Sequence, residues 1–303
     1  MAVLRLGSAG PGVIHLQVRL QELGFAPGPS DGSFGSATET AVILFQGSKG
    51  LLPDGIVGPI TLAALALPAA PVLTGAPAAA AFAGFDTSVY PGDSNMGVWK
   101  AASPYGFAAY YLKSPCHHSA SWMGRRPGLI AMGWNLLPVY VGQQVAGVSP
   151  CTSTILTATQ GIADANDAAS KMASEGFAPG SYVFLDVERS DTFSAALENY
   201  ISAWISNIAA VGLGPGIYCH KHNASDIRAT MLAALPAPPL IRPRFWIVGG
   251  DPSLFDLATS KPTDVGVPFA DVWQSPVSVS RTFGGVTINI DEDLSAAPFP
   301  AGS

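Results

Sequence analysis

Eight short apolar runs, separated by stretches of helical periodicity, constrain this chain's fold more than any other feature. They span Phe82 to Asp86, Gly106 to Leu112, Leu136 to Gly142, Tyr182 to Glu188, Gly216 to His220, Phe245 to Gly250, Ala270 to Gln274 and Val286 to Asp291. Between them, Ile162 to Phe177 and Phe193 to Val211 read as helices. The second places Leu197, Tyr200, Ile201, Trp204, Ile205 and Ile208 on one apolar face. Strand alternating with helix builds a parallel sheet, and eight such units close it into a barrel. An open doubly wound sheet is the alternative, because the connections around the last strands carry the weakest helical signal.

Ahead of these runs lies an internal repeat. Asp31-Gly-Ser-Phe-Gly-Ser-Ala-Thr38 and Asp54-Gly-Ile-Val-Gly-Pro-Ile-Thr61 share the form D-G-x-[FV]-G-x-x-T, 23 residues apart. Asp-Gly makes a tight turn, and an apolar helical run follows each copy. Val13, Leu16, Leu20 and Leu23 supply an earlier helix ending at Gly24; Ala41, Val42 and Phe45 a second; Leu62 and Leu65, after Pro59, a third. Three short helices then close one small core, within which the Asp-Gly turns, Phe34 and Phe45 are expected to be structural.

The expected class is therefore α/β: a (β/α)8 TIM-type barrel over residues 82–303, preceded by a small three-helix all-α module over residues 1–67. Residues 68–81, "PAAPVLTGAPAAAA", poor in charge and rich in Pro and Ala, read as a tether.

Composition excludes several functions. A net charge of −6 with only 15 Lys and Arg argues against nucleic acid, which needs clustered cations. No run of apolar residues is long enough to span a membrane. The first ten residues lack the basic start and apolar core of a secretion signal. Of Cys116, Cys151 and Cys219, at most one disulfide can form; free thiols are the favoured reading, and Cys116 with Cys151, both in loops, is the pair should one form.

In a (β/α)8 barrel the chemistry sits at the C-terminal strand ends. Four acids lie there: Asp86 in "AGFDTS", Asp186 and Glu188 in "VFLDVE", and Asp291 in "TINIDED". Asp186 and Glu188, two apart on a strand, project to the same side, roughly 6 to 7 Å apart along the backbone. Crowded carboxylates repel, so one holds its proton near neutrality while another stays ionised. Glycoside cleavage needs that division between an acid and an anion, and Glu188 is the candidate acid. A single strand-end acid can equally cap a loop or pair with an Arg such as Arg189. Cys219, His220 and His222, with Cys116, His117 and His118, do not have a recognised zinc spacing, so no metal or cofactor is expected. Tyr110, Tyr140, Tyr218 and Trp246 sit near strand ends and could stack on sugar rings, with Tyr218 and Trp273 favoured.

Two resemblances sharpen these expectations. Leu4 to Leu67, through "LRLGSAGPGVIHLQVRLQELGF", "DGSFGSATETAVILFQ" and "GLLPDGIVGPITLAAL", resembles the peptidoglycan-binding domain type 1 family. That implies a module that docks onto cell-wall polymer. "GFDTS", "FLDVE", "VWQSP" and "NIDEDL" resemble motifs of family 25 glycoside hydrolases, lysozymes that cut the muramic acid linkage. The second region is more similar still to the glycoside-hydrolase-like family called domain of unknown function 1906. By that resemblance Asp86, Asp186, Glu188 and Asp291 form an acidic floor. Glu188 acts as acid, Asp186 orients or stabilises the acetamido group, and Trp273 and Gln274 line the sugar cleft, with Asp293 a rival to Asp291.

The expected activity is that of a peptidoglycan-targeted, lysozyme- or muramidase-like hydrolase, an endolysin or other cell-wall hydrolase. The alternative is a non-catalytic wall binder with a degenerate barrel. An amidase or peptidase would need a zinc set or a nucleophile with a base. Peptidoglycan, both glycan strand and stem peptide, is the expected partner of a monomeric protein outside the cell or on the wall. A phage lysin and a chain trimmed of its export signal fit equally.

Overall fold

The computed structural model describes residues 4–49, 51, 53–66, 81–145, 147, 153–188, 193–235, 242–297 and 301. Nearly all of the expected tether, and Cys151 with it, lies outside the described residues.

The small module consists of α1 (Pro11–Glu22), α2 (Ser36–Ser48) and α3 (Pro59–Ala66) around a core that includes Leu16, Leu20, Phe34, Val42 and Phe45. The repeat in the sequence becomes a repeat of hydrogen bonds. In the first copy, Gln17 Nε2 donates to Asp31 Oδ1 (3.2 Å), Ser33 O (3.1 Å) and Thr38 Oγ1 (3.0 Å), while Gly32 N donates to Gln17 Oε1 (3.0 Å). In the second, Gln46 Nε2 donates to Asp54 Oδ1 (2.8 Å), Ile56 O (3.0 Å) and Thr61 Oγ1 (3.1 Å), and Gly55 N to Gln46 Oε1 (2.9 Å). A buried glutamine on the preceding helix thus fastens each Asp-Gly turn to the Thr that follows it. The Asp-Gly turns are thus part of the module's framework, and so are Thr38 and Thr61, which the sequence does not single out.

The larger unit is a closed barrel. β1 (Phe82–Asp86), β2 (Phe107–Leu112), β3 (Asn135–Val141), β4 (Tyr182–Val187), β5 (Gly214–His220), β6 (Arg244–Val248) and β7 (Val272–Gln274) pair in order and in parallel. Helices α4 (Asp93–Ala102), α5 (Arg126–Ala131), α6 (Ala158–Ser174), α7 (Ala195–Ala210) and α8 (Ala224–Ala234) cover the outside. Thr157 and Ser194 cap α6 and α7 through their side chains, each accepting from an N–H of the first turn.

Closure departs from the expected repeat. β7 is followed by β8 (Val279–Phe283), which turns at Gly284-Gly285 into β9 (Val286–Ser295). β9 runs antiparallel to both β7 and β1 and seals the barrel between them. Both turn glycines have positive φ, 57° and 81°, the geometry that a two-residue hairpin requires. The last connection is a hairpin rather than a helix, so the eighth barrel strand must enter from the opposite end.

Side chains alternate strictly between the two faces of the barrel wall. Inward residues such as Phe107, Ala109, Leu137, Val139, Tyr182, Phe184, Trp246 and Val272 fill the interior, closed below by Ala301, whose carbonyl accepts from Tyr182 N at 2.7 Å. The rings need room: a Cβ at Gly84 would lie 2.3 Å from the Phe107 ring, and one at Gly216 would lie 2.7 Å from Phe184. Glycine at those two strand positions lets large and small residues interlock in the barrel's core.

Candidate active site at the barrel mouth

Above these apolar layers the inward positions become polar. Asp86 ends β1, Tyr111 lies on β2, Asp186 on β4 with Glu188 just beyond it, Tyr218 on β5, Gln274 on β7 and Asp291 on β9. In the barrel register Asp86 lies opposite Asp291, and Asp186 opposite Tyr218. The four acids expected from the sequence therefore occupy one mouth. Asp291 reaches it for a different reason from the one expected. It does not end its strand, which continues to Ser295; it faces the mouth because β9 is reversed.

A hydrogen-bond chain fixes Asp86. Tyr111 Oη donates to its Oδ1 at 2.7 Å, Gln274 Nε2 donates to its Oδ2, and Tyr218 Oη donates to Gln274 Oε1 at 2.8 Å. Gln144, in the loop after β3, fixes the other side. Its Nε2 donates to Asp186 O at 2.9 Å and its Oε1 accepts from Glu188 N at 3.0 Å. A fifth acid, Asp293, sits one layer below with no exposed surface, its Oδ1 accepting from Trp246 Nε1 at 2.8 Å. Oδ1 of Asp186 and Oδ2 of Asp293 are buried without a hydrogen-bond partner.

Burial drives the electrostatics. It raises Asp86 to about 7, helped by the neighbouring charges of Asp291 and Glu188 and opposed by the bonds from Tyr111 and Gln274. Burial first, then Glu188 and Asp86, pushes Asp186 well above the carboxylate range. Glu188 is raised by burial and by Asp291. Asp291 is raised by burial but restrained by an N–H from Ser278. Asp293 is raised strongly by burial and by Asp86. So many crowded carboxyls cannot all be ionised at neutral pH, and the cluster must hold protons. Asp86, Asp186 and Asp293 are buried, whereas Glu188 and Asp291 are half-buried and face solvent. A ligand entering the mouth meets Glu188 and Asp291 first.

Two sequence expectations divide by strand face. Gln274 and Tyr218 point inward, into the hydrogen-bond chain. Trp273 does not line the cleft. It is wholly buried on the outer face of β7, its Nε1 donating to Gly249 O at 2.8 Å and its ring edge-on to Phe255. Adjacent strand residues face opposite ways, so Trp273 and Gln274 cannot both reach the mouth. Tyr110 and Tyr140 are likewise outside, bonded to Glu175 and Asp167, and Trp246 is a filler of the layer below. Tyr111 and Gln144 were not singled out. Tyr111 follows Phe107 and Ala109 at period two, which marks the inward face; nothing in the sequence marks Gln144, whose role depends on a loop conformation.

Contrary to the favoured reading of free thiols, Cys116 is disulfide-bonded; Cys219 is free and buried. Among the described residues no three His, Cys, Asp or Glu side chains gather in an arrangement suited to a metal ion. Nor is any described helix long and apolar enough to cross a membrane.

A family model described as Rv2525c-like, glycoside hydrolase-like domain matches residues 98–295. A second, described as "putative peptidoglycan binding domain", matches residues 9–65. Among solved structures, an uncharacterized B. stearothermophilus protein superposes with a TM-score of 0.51 at 16% identity, over 72% of this chain and 97% of that one. At that identity the likeness is one of fold. N-acetylmuramoyl-L-alanine amidase CwlM of Mycobacterium tuberculosis is 46% identical over 68 residues, 22% of this chain and 17% of that protein. A spore cortex-lytic enzyme of Oceanobacillus iheyensis is 46% identical over 59 residues, 20% of this chain and 21% of that protein. The matches thus span about a fifth of these curated relatives.

Proposed function

The chain belongs to the Rv2525c-like, glycoside hydrolase-like domain family, and from that premise we propose that it is a peptidoglycan-targeted hydrolase, lysozyme-like, cleaving the glycan strand at the barrel mouth. The observation that carries this reading is the division among the carboxyls. Two are accessible, Glu188 and Asp291, and they stand over a buried set that crowds them. Glu188, its hold on a proton strengthened by burial and by Asp291, is placed to give that proton to the glycosidic oxygen as the bond from the sugar carbon to that oxygen breaks. Asp291, steadied by the Ser278 N–H, holds negative charge toward the developing positive sugar carbon. Water supplies the new oxygen on that carbon, and its proton is taken up by the carboxylate cluster, restoring the starting state.

Asp186 is buried and pushed well above the carboxylate range, and it bears on the reaction through the repulsion it shares with Glu188 and Asp86. Asp86 is locked by Tyr111 and Gln274 and acts by sustaining the proton balance of the cluster. The small module, matched by a peptidoglycan-binding family, supplies attachment to the wall. A tethered binding module raises the local concentration of the barrel at its polymer, and such a protein works at the cell wall.

Reducing-end release and loss of turbidity on purified peptidoglycan test the reading. Intact protein should release reducing ends; Glu188→Gln should not, while still sedimenting with the wall. No release from intact protein, with binding retained, would instead identify a non-catalytic wall binder.

A further inference from the structure

β3 and β4 pair in parallel as far as Val141 opposite Asp186; there β3 stops, while β4 continues through Val187 toward Glu188. On its other side β4 stays paired, with Val187 opposite Cys219 of β5. Gly142 lets β3 end at this point, since a Cβ there would lie 2.5 Å from both the Leu185 side chain and the Tyr200 hydroxyl. The ladder is nonetheless completed.

In a parallel ladder a residue donates to the carbonyl just before its opposite number and accepts from the N–H just after it. Around Val187 the side chain of Gln144 makes that pair of bonds: Nε2 donates to Asp186 O at 2.9 Å and Oε1 accepts from Glu188 N at 3.0 Å. A primary amide carries the donor and acceptor of a peptide group, so a glutamine can stand in for one. The missing rung is built from a side chain.

The rung is itself held firmly. Gln144 N donates to Ser153 O at 3.0 Å. The adjacent Gln143 ties the same loop to α6 and α7: its N donates to Tyr200 Oη at 3.1 Å and its Nε2 to Asp164 Oδ2 at 3.2 Å, while Tyr200 Oη donates to that Oδ2 at 2.7 Å. Gln144 is 1% exposed, so its influence on the mouth passes through the backbone of Glu188 and not through contact with a ligand. Glu188 lies just past the end of β4, where this bond takes the place of sheet pairing on the β3 side.

We propose that Gln144 is a positioning residue for Glu188: its amide rung sets where that carboxyl stands over the mouth, and hence how closely it crowds Asp186 and Asp291. The role of Glu188 as acid rests on the glycan reading; its placement by Gln144 does not.

Two variants of the full chain test this. Gln144→Leu fills similar space and removes both bonds. Gln144→Glu keeps the acceptor for Glu188 N–H and supplies a donor to Asp186 O only while its own carboxyl is protonated. On soluble glycan strands of alternating N-acetylglucosamine and N-acetylmuramic acid, the Leu variant should lose about ten- to a hundredfold in kcat with KM within about twofold, because the acid is misplaced and no group touching substrate is removed. Relative to the intact protein, the Glu variant should keep most of its kcat at pH 5 and lose it at pH 8. A readout independent of turnover is the titration of the Glu188 carboxyl carbon by NMR. Burial and Asp291 raise its midpoint in the intact protein, and in the Leu variant it should drop toward the ordinary glutamate value as the side chain leaves its crowded place. An unchanged midpoint, or a loss confined to KM, would overturn the proposal. Should the Leu variant not fold, the Glu variant decides, and a kcat ratio to intact protein that is the same at pH 5 and pH 8 would overturn it. Absence of turnover in the intact protein would sink the hydrolase reading alone, and the Glu188 midpoint would then decide the placement.

Discussion

Aspartates serve opposite ends in the two halves of this molecule. In the small module Asp31 and Asp54 are held below the ordinary carboxylate range. The first effect in each case is a backbone N–H, from Ser33 or Ile56, and the second is the amide of Gln17 or Gln46. At the barrel mouth Asp86, Asp186 and Asp293 are pushed up by burial, and two of the three retain a buried oxygen with no partner. The module's acids are satisfied and ionised, as turn-forming residues should be. The mouth's acids are crowded and pushed toward the protonated form, an arrangement that costs stability and that the acid catalysis proposed for the mouth would explain. One residue type thus builds a scaffold in one half and stores protons in the other, and the environment alone separates the two uses.

The largest expected effect would settle whether the mouth is reactive. Glu188→Gln removes the proposed donor without changing shape, so reducing-end release should fall by roughly 10² to 10⁴, the usual range for a lost general acid. Wall sedimentation should be unchanged, because the attachment lies in the other half. A variant that keeps most of its activity would leave the crowding of the mouth without a function.

Stability should move the other way at the second site. Asp86 is raised from 3.8 to about 7, so the folded state binds the extra proton between those values and its stability falls as pH rises across them. Asp86→Asn removes that penalty. It should stabilise the barrel by on the order of 2 to 4 kcal/mol at pH 7, and by little at pH 4, in denaturant titrations. A loss of stability at pH 7 would break the contrast between the two halves.

In the module, removal of one clamp should be costly. Gln46 makes four hydrogen bonds from a buried position, and Gln46→Ala leaves the Gly55 N–H and the Thr61 hydroxyl short of a partner. A loss of about 2 to 3 kcal/mol in the module's unfolding is expected. Gln17→Ala should lose a similar amount, since Gln17 makes the matching set of bonds. Unequal losses would show that the duplicated pattern is not energetically duplicated.

Much of this was legible in the sequence, and the remainder was hidden for physical reasons. The apolar runs placed the barrel strands because buried strands leave a local signature. The direction of β9 was hidden because strand patterning carries no sense of direction; the Gly284-Gly285 pair between Phe283 and Val286 was the available hairpin signal. Period two puts Asp186 and Glu188 on one side of β4, and in the structure the charge of Glu188 acts on Asp186. The same rule, applied to "VWQ" and to "AYYL", separates Gln274 from Trp273 and Tyr111 from Tyr110. The contacts of Gln144 depend on loop geometry and neighbours distant in sequence, which no local pattern encodes.

The smallest effect is a difference of sign under acid. Asp31 and Asp54 support the module above the ordinary carboxylate value, and that support is lost as pH falls through their lowered pKa values. His15, lowered by burial against an opposing bond to Gly212, adds to the module's loss as pH drops below 6.5. The mouth's carboxyls act oppositely, stabilising the barrel as pH falls from 7 toward 4, with His117, its ring set against that of Tyr111 and its pKa lowered, the opposing group. The two halves can be followed separately in the intact chain, because all six tryptophans, residues 99, 122, 134, 204, 246 and 273, belong to the barrel. Between pH 7 and 3, a range that crosses the ordinary carboxylate value, the tryptophan-detected unfolding midpoint should rise, while methyl resonances of Val13, Leu16 and Val42 report a module midpoint that falls. If both midpoints move in the same direction, the protons attributed to the mouth are not held there, and the distinction between scaffold and reactive aspartates fails with them.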